Sequence, residues 1–273
     1  MNERARLGWI GLLVLSLACL AMPGASALGI DIRPTSLAFP QAGLPGRLSV
    51  AVALSALGIG IAAYGTLKLL NRIRDTNRFV ARLLSPETTP SPEIEQLLHQ
   101  LGLQGWVAVV AEPQPLVFCF GYLRPRLCLS TGLLAALPTE QLRAVLSHER
   151  HHLERRHPLL TLVLRTMADT FFFLPVLGET CHYLMIRMEL TADVAAIQAV
   201  GRKSLAAALH KLSSRKAVSR FDLGLALSDL NPSRARIEHL LGGPTPGWRP
   251  SLAASSSTVA ALSSLCLVLM AFA

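Results

Sequence analysis

The sequence predicts a mostly helical α+β protein that is integral to a membrane and carries a small β-sheet in a cytoplasmic domain. Three observations lead there. The 273 residues are 51% hydrophobic and only 16% charged, with a mean hydropathy of +0.44, which is too apolar for an ordinary soluble domain. Two apolar runs, 48–70 and 252–272, have the length of membrane spans. Between them, helical periodicity is interrupted by two short β-like runs. The net charge of +9 does not imply nucleic acid, because the basic residues crowd beside the apolar runs and no nucleic-acid motif is present. The five cysteines form no C-x-x-C pair and imply no disulfide framework. Cys19 and Cys266 lie in apolar segments, where cysteine acts as a small hydrophobe.

Taken in order, residues 8–22 are apolar behind Arg4 and Arg6 and are followed by Ala25-x-Ala27, the small residues of a signal-peptidase site. A cleaved signal peptide and a first transmembrane helix both fit 1–27. Either way, 28–47 is expected as an external loop and 48–70 as a transmembrane helix. Immediately after that helix come Arg72, Arg74, Arg78 and Arg82, whereas the preceding loop holds only Arg33 and Arg47. The excess of bases places 71–249 in the cytoplasm. Pro90-Ser91-Pro92 breaks the chain, and a short amphipathic helix with Ile94, Leu97, Leu98 and Leu101 follows. The two β-like runs are 106–110 and 116–129. The second is broken at Gly121 and Pro125, as a hairpin or two short strands would be. A strand of this kind can lie along a cleft and pair with an extended peptide, but the sequence does not choose which edge would do so.

Leu142, Val145, Leu146, Glu149 and Leu153 follow helical spacing behind Thr139, read as the N-cap, with Glu140 in the first turn. This helix carries Ser147-His148-Glu149-Arg150-His151-His152, an H-E-x-x-H pattern. Residues four apart stand one above the other on a helix, so His148 and His152 can reach one metal ion. Neutral imidazole suits Zn²⁺, and two such ligands leave places for a third protein group and a water. Glu149 can take the proton of that water, the arrangement of a metalloprotease. His151 and His157 are read as pointing to other faces, toward solvent or lipid headgroups.

The segment 158–178 is apolar but holds Arg165 and Asp169. Only 36 residues separate His152 from Glu189, too few for two full crossings and a turn. It is therefore expected as a buried or membrane-dipping helix. Next comes Glu189-Leu190-Thr191-Ala192-Asp193, with both carboxylates on one helix face. Alone, this pattern is also that of an exposed acidic face. Downstream of H-E-x-x-H, Glu189 reads as the third zinc ligand and Asp193 as the group that orients a ligand histidine through its other ring nitrogen. The basic stretch containing Arg202, Lys203, Lys211, Arg215, Lys216 and Arg220 suits a solvated face beside anionic lipid. A closing helix is expected over 233–241, with Arg236 as a substrate or oxyanion contact, and 252–272 is read as a final transmembrane helix with Arg249 on its inner side.

The stretches "FGYLRPRLCLSTGLL", "EQLRAVLSHERHHLERRHPL", "ELTAD" and "NPSRARIEHLL", in this order across about 48–241, resemble the membrane metallopeptidase family of the β-lactam sensor-transducers. Glu154-Arg155-Arg156 is closer to that family than to the related heat-shock and CAAX prenyl membrane proteases. The chain departs from it with His157 where Asp is usual, and with Asn231 where the related proteases often have His. The resemblance implies a cytoplasmic zincin-like (gluzincin) domain with zinc at His148, His152 and Glu189, Glu149 as catalytic base and Asp193 behind the ligands. It implies a protein or peptide substrate cut in regulatory proteolysis as part of signal transduction. The alternatives are a heat-shock-type quality-control protease and a zinc-stabilised adaptor without turnover. No extracellular sensor domain is expected, so sensing would be intramembrane, absent or supplied by a regulatory partner protein.

Overall fold

The computed structural model describes residues 44–84, 88–214 and 234–272. The signal-like segment 1–27, most of the loop 28–47 and the basic residues Arg215, Lys216 and Arg220 lie outside the described residues. Among the described residues the chain forms nine helices and three strands, a mostly helical α+β fold with one small sheet. The chain divides into two compact units.

The first unit comprises, among described residues, 44–66, 168–180 and 247–272. It includes the start of helix α1 (Leu44–Leu83), which is longer at both ends than the expected 48–70. Pro45 is tolerated in a first turn, and past Leu70 the arginines are good helix formers, so nothing halts the helix before Ser85-Pro86. Val52–Leu83 is the one stretch among the described residues long and apolar enough to cross a membrane. The last helix, α9 (Leu252–Phe272), occupies the other stretch read as a span, but its apolar part, Leu252–Val268, is shorter. Ser251 caps α9 through its Oγ, which accepts from the Ala254 N–H, while the Ser251 N–H and hydroxyl donate to Glu179 at 2.7 and 2.6 Å. Cys266 is disulfide-bonded, which corrects its reading as a plain apolar filler. Pairing through space leaves no local spacing signature.

The second unit, 67–167 and 181–246, holds the short helix α2 (Pro92–Gln100), with Leu97 and Leu98 buried, and the sheet. Strands β1 (Val107–Val110), β2 (Val117–Phe120) and β3 (Arg126–Ser130) lie in the order β1-β3-β2, with β1 parallel and β2 antiparallel to β3. The expected hairpin is therefore β2 with β3, and β1 adds on the far side. Both faces are covered, which is why the strands read as nearly continuous apolar runs. Leu127, Leu129, Val109, Val117 and Cys119 pack against Leu142, Val145 and Leu146 on one face. On the other face, Ala108, Val110, Phe118, Phe120 and Cys128 meet Phe79 from the end of α1, with the Phe79 and Phe118 rings 5.8 Å apart.

The loop between β1 and β2 is tied down at the end of β3. The Ser130 hydroxyl donates to Gln114 O and accepts from the Leu116 and Leu133 N–H groups, so it also caps helix α3 (Thr131–Ala136). Gly132 donates to Glu112 O, and a Cβ at this position would run into the Pro113 carbonyl. Because that obstacle is backbone, Gly132→Ala is expected to destabilise the protein by about 1–3 kcal/mol, seen as a lower thermal midpoint in detergent. An unchanged midpoint would mean the loop is free to give way.

Candidate metal centre

Helix α4 (Thr139–Glu154) carries H-E-x-x-H on the side that faces the protein interior. It starts at Thr139, the expected cap, so the cap itself lies one residue earlier. Pro138 occupies the N-cap position and Thr139 the first turn, because proline needs no N–H there. The apolar stripe of Leu142, Val145 and Leu146 fixes the rotation of α4 against the sheet, and the same rotation buries His148, Glu149 and His152, at 0%, 0% and 2% exposure. Helix α6 (Pro175–Val200) brings the second half. The apolar segment 158–178 is broken: α5 (His157–Thr170) ends, the chain turns at 171–174, and α6 begins at Pro175. Fully buried Ala144 on α4 and Ala196 on α6 share one cluster with Leu205 and Leu209 of helix α7 (Arg202–Ser214), which packs against α4. Gly201, at φ +90°, then ends α6.

The result is a convergence of three potential ligands. His148 Nε2 and His152 Nε2 are 3.0 Å apart, and Glu189 Oε2 and Oε1 lie 3.4 and 3.5 Å from them respectively. These are close to the roughly 3.3 Å between corners of a tetrahedron whose centre is about 2.0–2.1 Å from each ligand atom. Glu189 Oε2 is buried and accepts no hydrogen bond. A carboxylate that turns one oxygen toward each of two imidazole nitrogens, with no hydrogen bond at Oε2, is a donor set that a cation satisfies. His148, His152 and Glu189 can thus hold a metal ion.

Behind the ligands sits a buried charge chain. Asp193 Oδ1 is 3.0 Å from His148 Nδ1. Arg236, on α8 (Arg234–Leu240), is fully buried and donates to Asp193 through Nε at 2.8 Å and Nη2 at 2.6 Å, while its Nη1 is 3.4 Å from Glu189. Burial disfavours ionised carboxylates, but His148 and Arg236 overcome it and hold both Asp193 and Glu189 down to about 2. Burial likewise opposes a charge on His148, yet Asp193 and Glu189 raise it to about 9. For His152 burial prevails, and it stays well below the usual histidine range. A cation must therefore displace the His148 proton at neutral pH. If this group holds a divalent cation, its apparent affinity for an added ion such as zinc is expected to rise about tenfold per pH unit from 7 to 9 and then level off, with one proton released per ion. A competition titration across that range checks this; an affinity independent of pH would contradict it.

Two functional neighbours escaped the sequence reading. Cys119, on β2, donates its S–H to Glu149 Oε2 at 3.2 Å and to Glu149 O at 3.4 Å. Burial, then the Glu149 carboxylate, push this thiol well above its usual range, so it remains a donor. Nothing in an apolar strand signals which of its side chains meets the motif helix. His157 is the second, and the expectation that it faces solvent or headgroups is corrected: it is buried, with Nδ1 2.7 Å from His152 Nδ1. Burial, then His151, lower it to about 4. His151 itself is half-buried, its ring 5.5 Å from that of His157.

No curated protein matches the chain. The model of peptidase family M48 matches residues 93–185, a segment that contains the sheet, α4 and both ligand histidines but stops short of Glu189. Glu189, the third member of the group that could hold a metal ion, lies just beyond the match, and the match over the sheet and the H-E-x-x-H helix supports membership of this chain in the M48 metallopeptidase family.

Proposed function

We propose that the protein is a membrane-anchored zinc endopeptidase that cuts a protein or peptide substrate in regulatory proteolysis, on the branch of the β-lactam sensor-transducers. The observation that carries the hydrolytic part is the meeting of His148 and His152 on α4 with Glu189 on α6, with Glu149 buried on the same helix turn. Zinc held there would polarise the scissile carbonyl and lower the pKa of the attacking water. Glu149, buried beside the two histidines, would serve as the base that takes the proton of the attacking water and returns it to the leaving amine. Cys119 holds one Glu149 oxygen in place through its S–H. Asp193 orients His148, and Arg236 keeps Asp193 ionised and in register. The intact Glu149 argues against an adaptor without turnover, since a structural zinc site has no use for a carboxylate beside the ligands. Of the two edges of the sheet, β2 touches Glu149 through Cys119, so an extended substrate would pair along β2.

The membrane part is supported by Val52–Leu83 and by the exposed apolar side chains of the first unit, among them Val52, Leu57, Ile59, Phe172, Leu252 and Leu267. The arginines that follow Leu70 favour a cytoplasmic second unit in a multi-pass cell-membrane protein, with 252–272 as a further crossing. In the proposed setting the partners are the substrate, the bilayer and a regulatory protein. The test is cleavage of a denatured protein substrate by the purified chain in detergent: activity lost on chelation and regained with one equivalent of zinc supports the reading, and indifference to chelation refutes it. Profiling the proteins stabilised in cells when Glu149 is replaced then separates one regulated substrate from the many expected of a quality-control protease.

A further inference from the structure

The turn that joins α4 to α5 has an unusual backbone. Arg156 has φ +51°, the sole positive value at a non-glycine residue among the described residues. A left-handed residue after a helix is usually glycine, because a side chain adopts this conformation at a cost. Here it ends α4 and starts α5 at the next residue, with Arg156 N–H donating to Leu153 O and Arg156 O accepting from Leu159 and Leu160. The tight reversal sets His157 beside His152. The rings stand edge to face with centroids 4.7 Å apart, and their Nδ1 atoms are 2.7 Å apart.

Two neutral imidazoles at that distance require one nitrogen to donate and the other to accept. On its far side, His152 Nε2 faces His148 and Glu189, and it must be a bare lone pair to hold a cation. An imidazole whose Nε2 is bare carries its proton on Nδ1, so His152 is the donor, and the acceptor is Nδ1 of His157, which carries its own proton on Nε2. We propose that His157 is a positioning residue that locks His152 in the Nδ1–H tautomer and fixes its ring plane, so that Nε2 is presented to the metal. The two histidine ligands are thus held by different chemistry, His148 by the Asp193 carboxylate and His152 by a neutral imidazole. The inference rests on the metal-site reading above.

The test is the zinc dissociation constant of the full chain in detergent, measured by competition with a chromogenic chelator, with the thermal midpoint of the zinc-free protein alongside. His157→Asn keeps an acceptor where Nδ1 stood, and its affinity is expected within about threefold of wild type. His157→Leu removes the acceptor, and its affinity is expected to fall about 10–100-fold. The zinc-free midpoints should remain comparable. Equal affinity in the Leu variant overturns the proposal, as does an equal loss in both variants together with a lowered midpoint, which would mark a packing role. A wild-type chain that binds no zinc refutes the metal site itself, and the proposal with it. Should His157→Leu not fold, nitrogen-15 spectra of histidine-labelled wild type decide the matter. His152 protonated on Nδ1 and His157 on Nε2 support the assignment, and His152 protonated on Nε2 overturns it.

Discussion

Glu149→Gln is expected to lower proteolysis by about 10²–10⁴-fold while leaving zinc content unchanged. Glutamine keeps the length and shape of the side chain and can still accept from the Cys119 thiol at one oxygen, so the buried packing of α4 survives. What it loses is the ability to take a proton. Glu149 is also distinct from the ligand set of His148, His152 and Glu189, so removing its charge leaves the metal's donors in place. Turnover and metal content measured on one preparation separate the two roles. Near-normal cleavage would remove Glu149 from the reaction, and loss of zinc would make it a ligand or a structural support.

Arg236→Met is expected to be the most damaging single change to stability, at about 3–5 kcal/mol, because it leaves Asp193 buried without its bidentate partner. The sign of the pH effect follows from the depressed carboxylates. Asp193 and Glu189, held at about 2, contribute stability that is present above pH 4–5 and is lost as the pH falls through about 2. The gap between variant and wild type should accordingly be full at pH 7 and narrow in acid. Thermal or urea unfolding at several pH values checks this. A variant as stable as wild type at pH 7 would mean that Asp193 finds another partner, and the assignment of Arg236 would fail.

His148, Glu149 and His152 were legible in the sequence because four-residue spacing on one helix is local geometry, and Glu189 with Asp193 repeats the same rule on a second helix. What the sequence left open was whether 36 residues could return Glu189 to the first pair. The answer lies at 171–174, where Phe-Phe-Phe-Leu forms a turn that carries no turn-forming residue before Pro175. Arg236 was found as a residue of interest but read toward substrate, whereas its guanidinium engages Asp193 and faces Glu189. His157 was read toward solvent because helical periodicity carried through Arg155 and Arg156 would turn it away. The left-handed Arg156 breaks that periodicity, and no rule of composition announces an arginine in that conformation. The sheet was visible as apolar runs, but the parallel union of β1 with β3 joins residues about twenty apart and leaves no local mark.

The most direct test of the proposed zinc centre is the X-ray absorption spectrum, at the zinc edge, of the protein loaded with zinc. Binding by His148, His152 and Glu189 predicts only nitrogen and oxygen neighbours at about 2.0–2.2 Å, with the outer scattering of two imidazole rings. A sulfur neighbour at about 2.3 Å would bring in a cysteine such as Cys119, and a third imidazole would displace Glu189; either result would contradict the account.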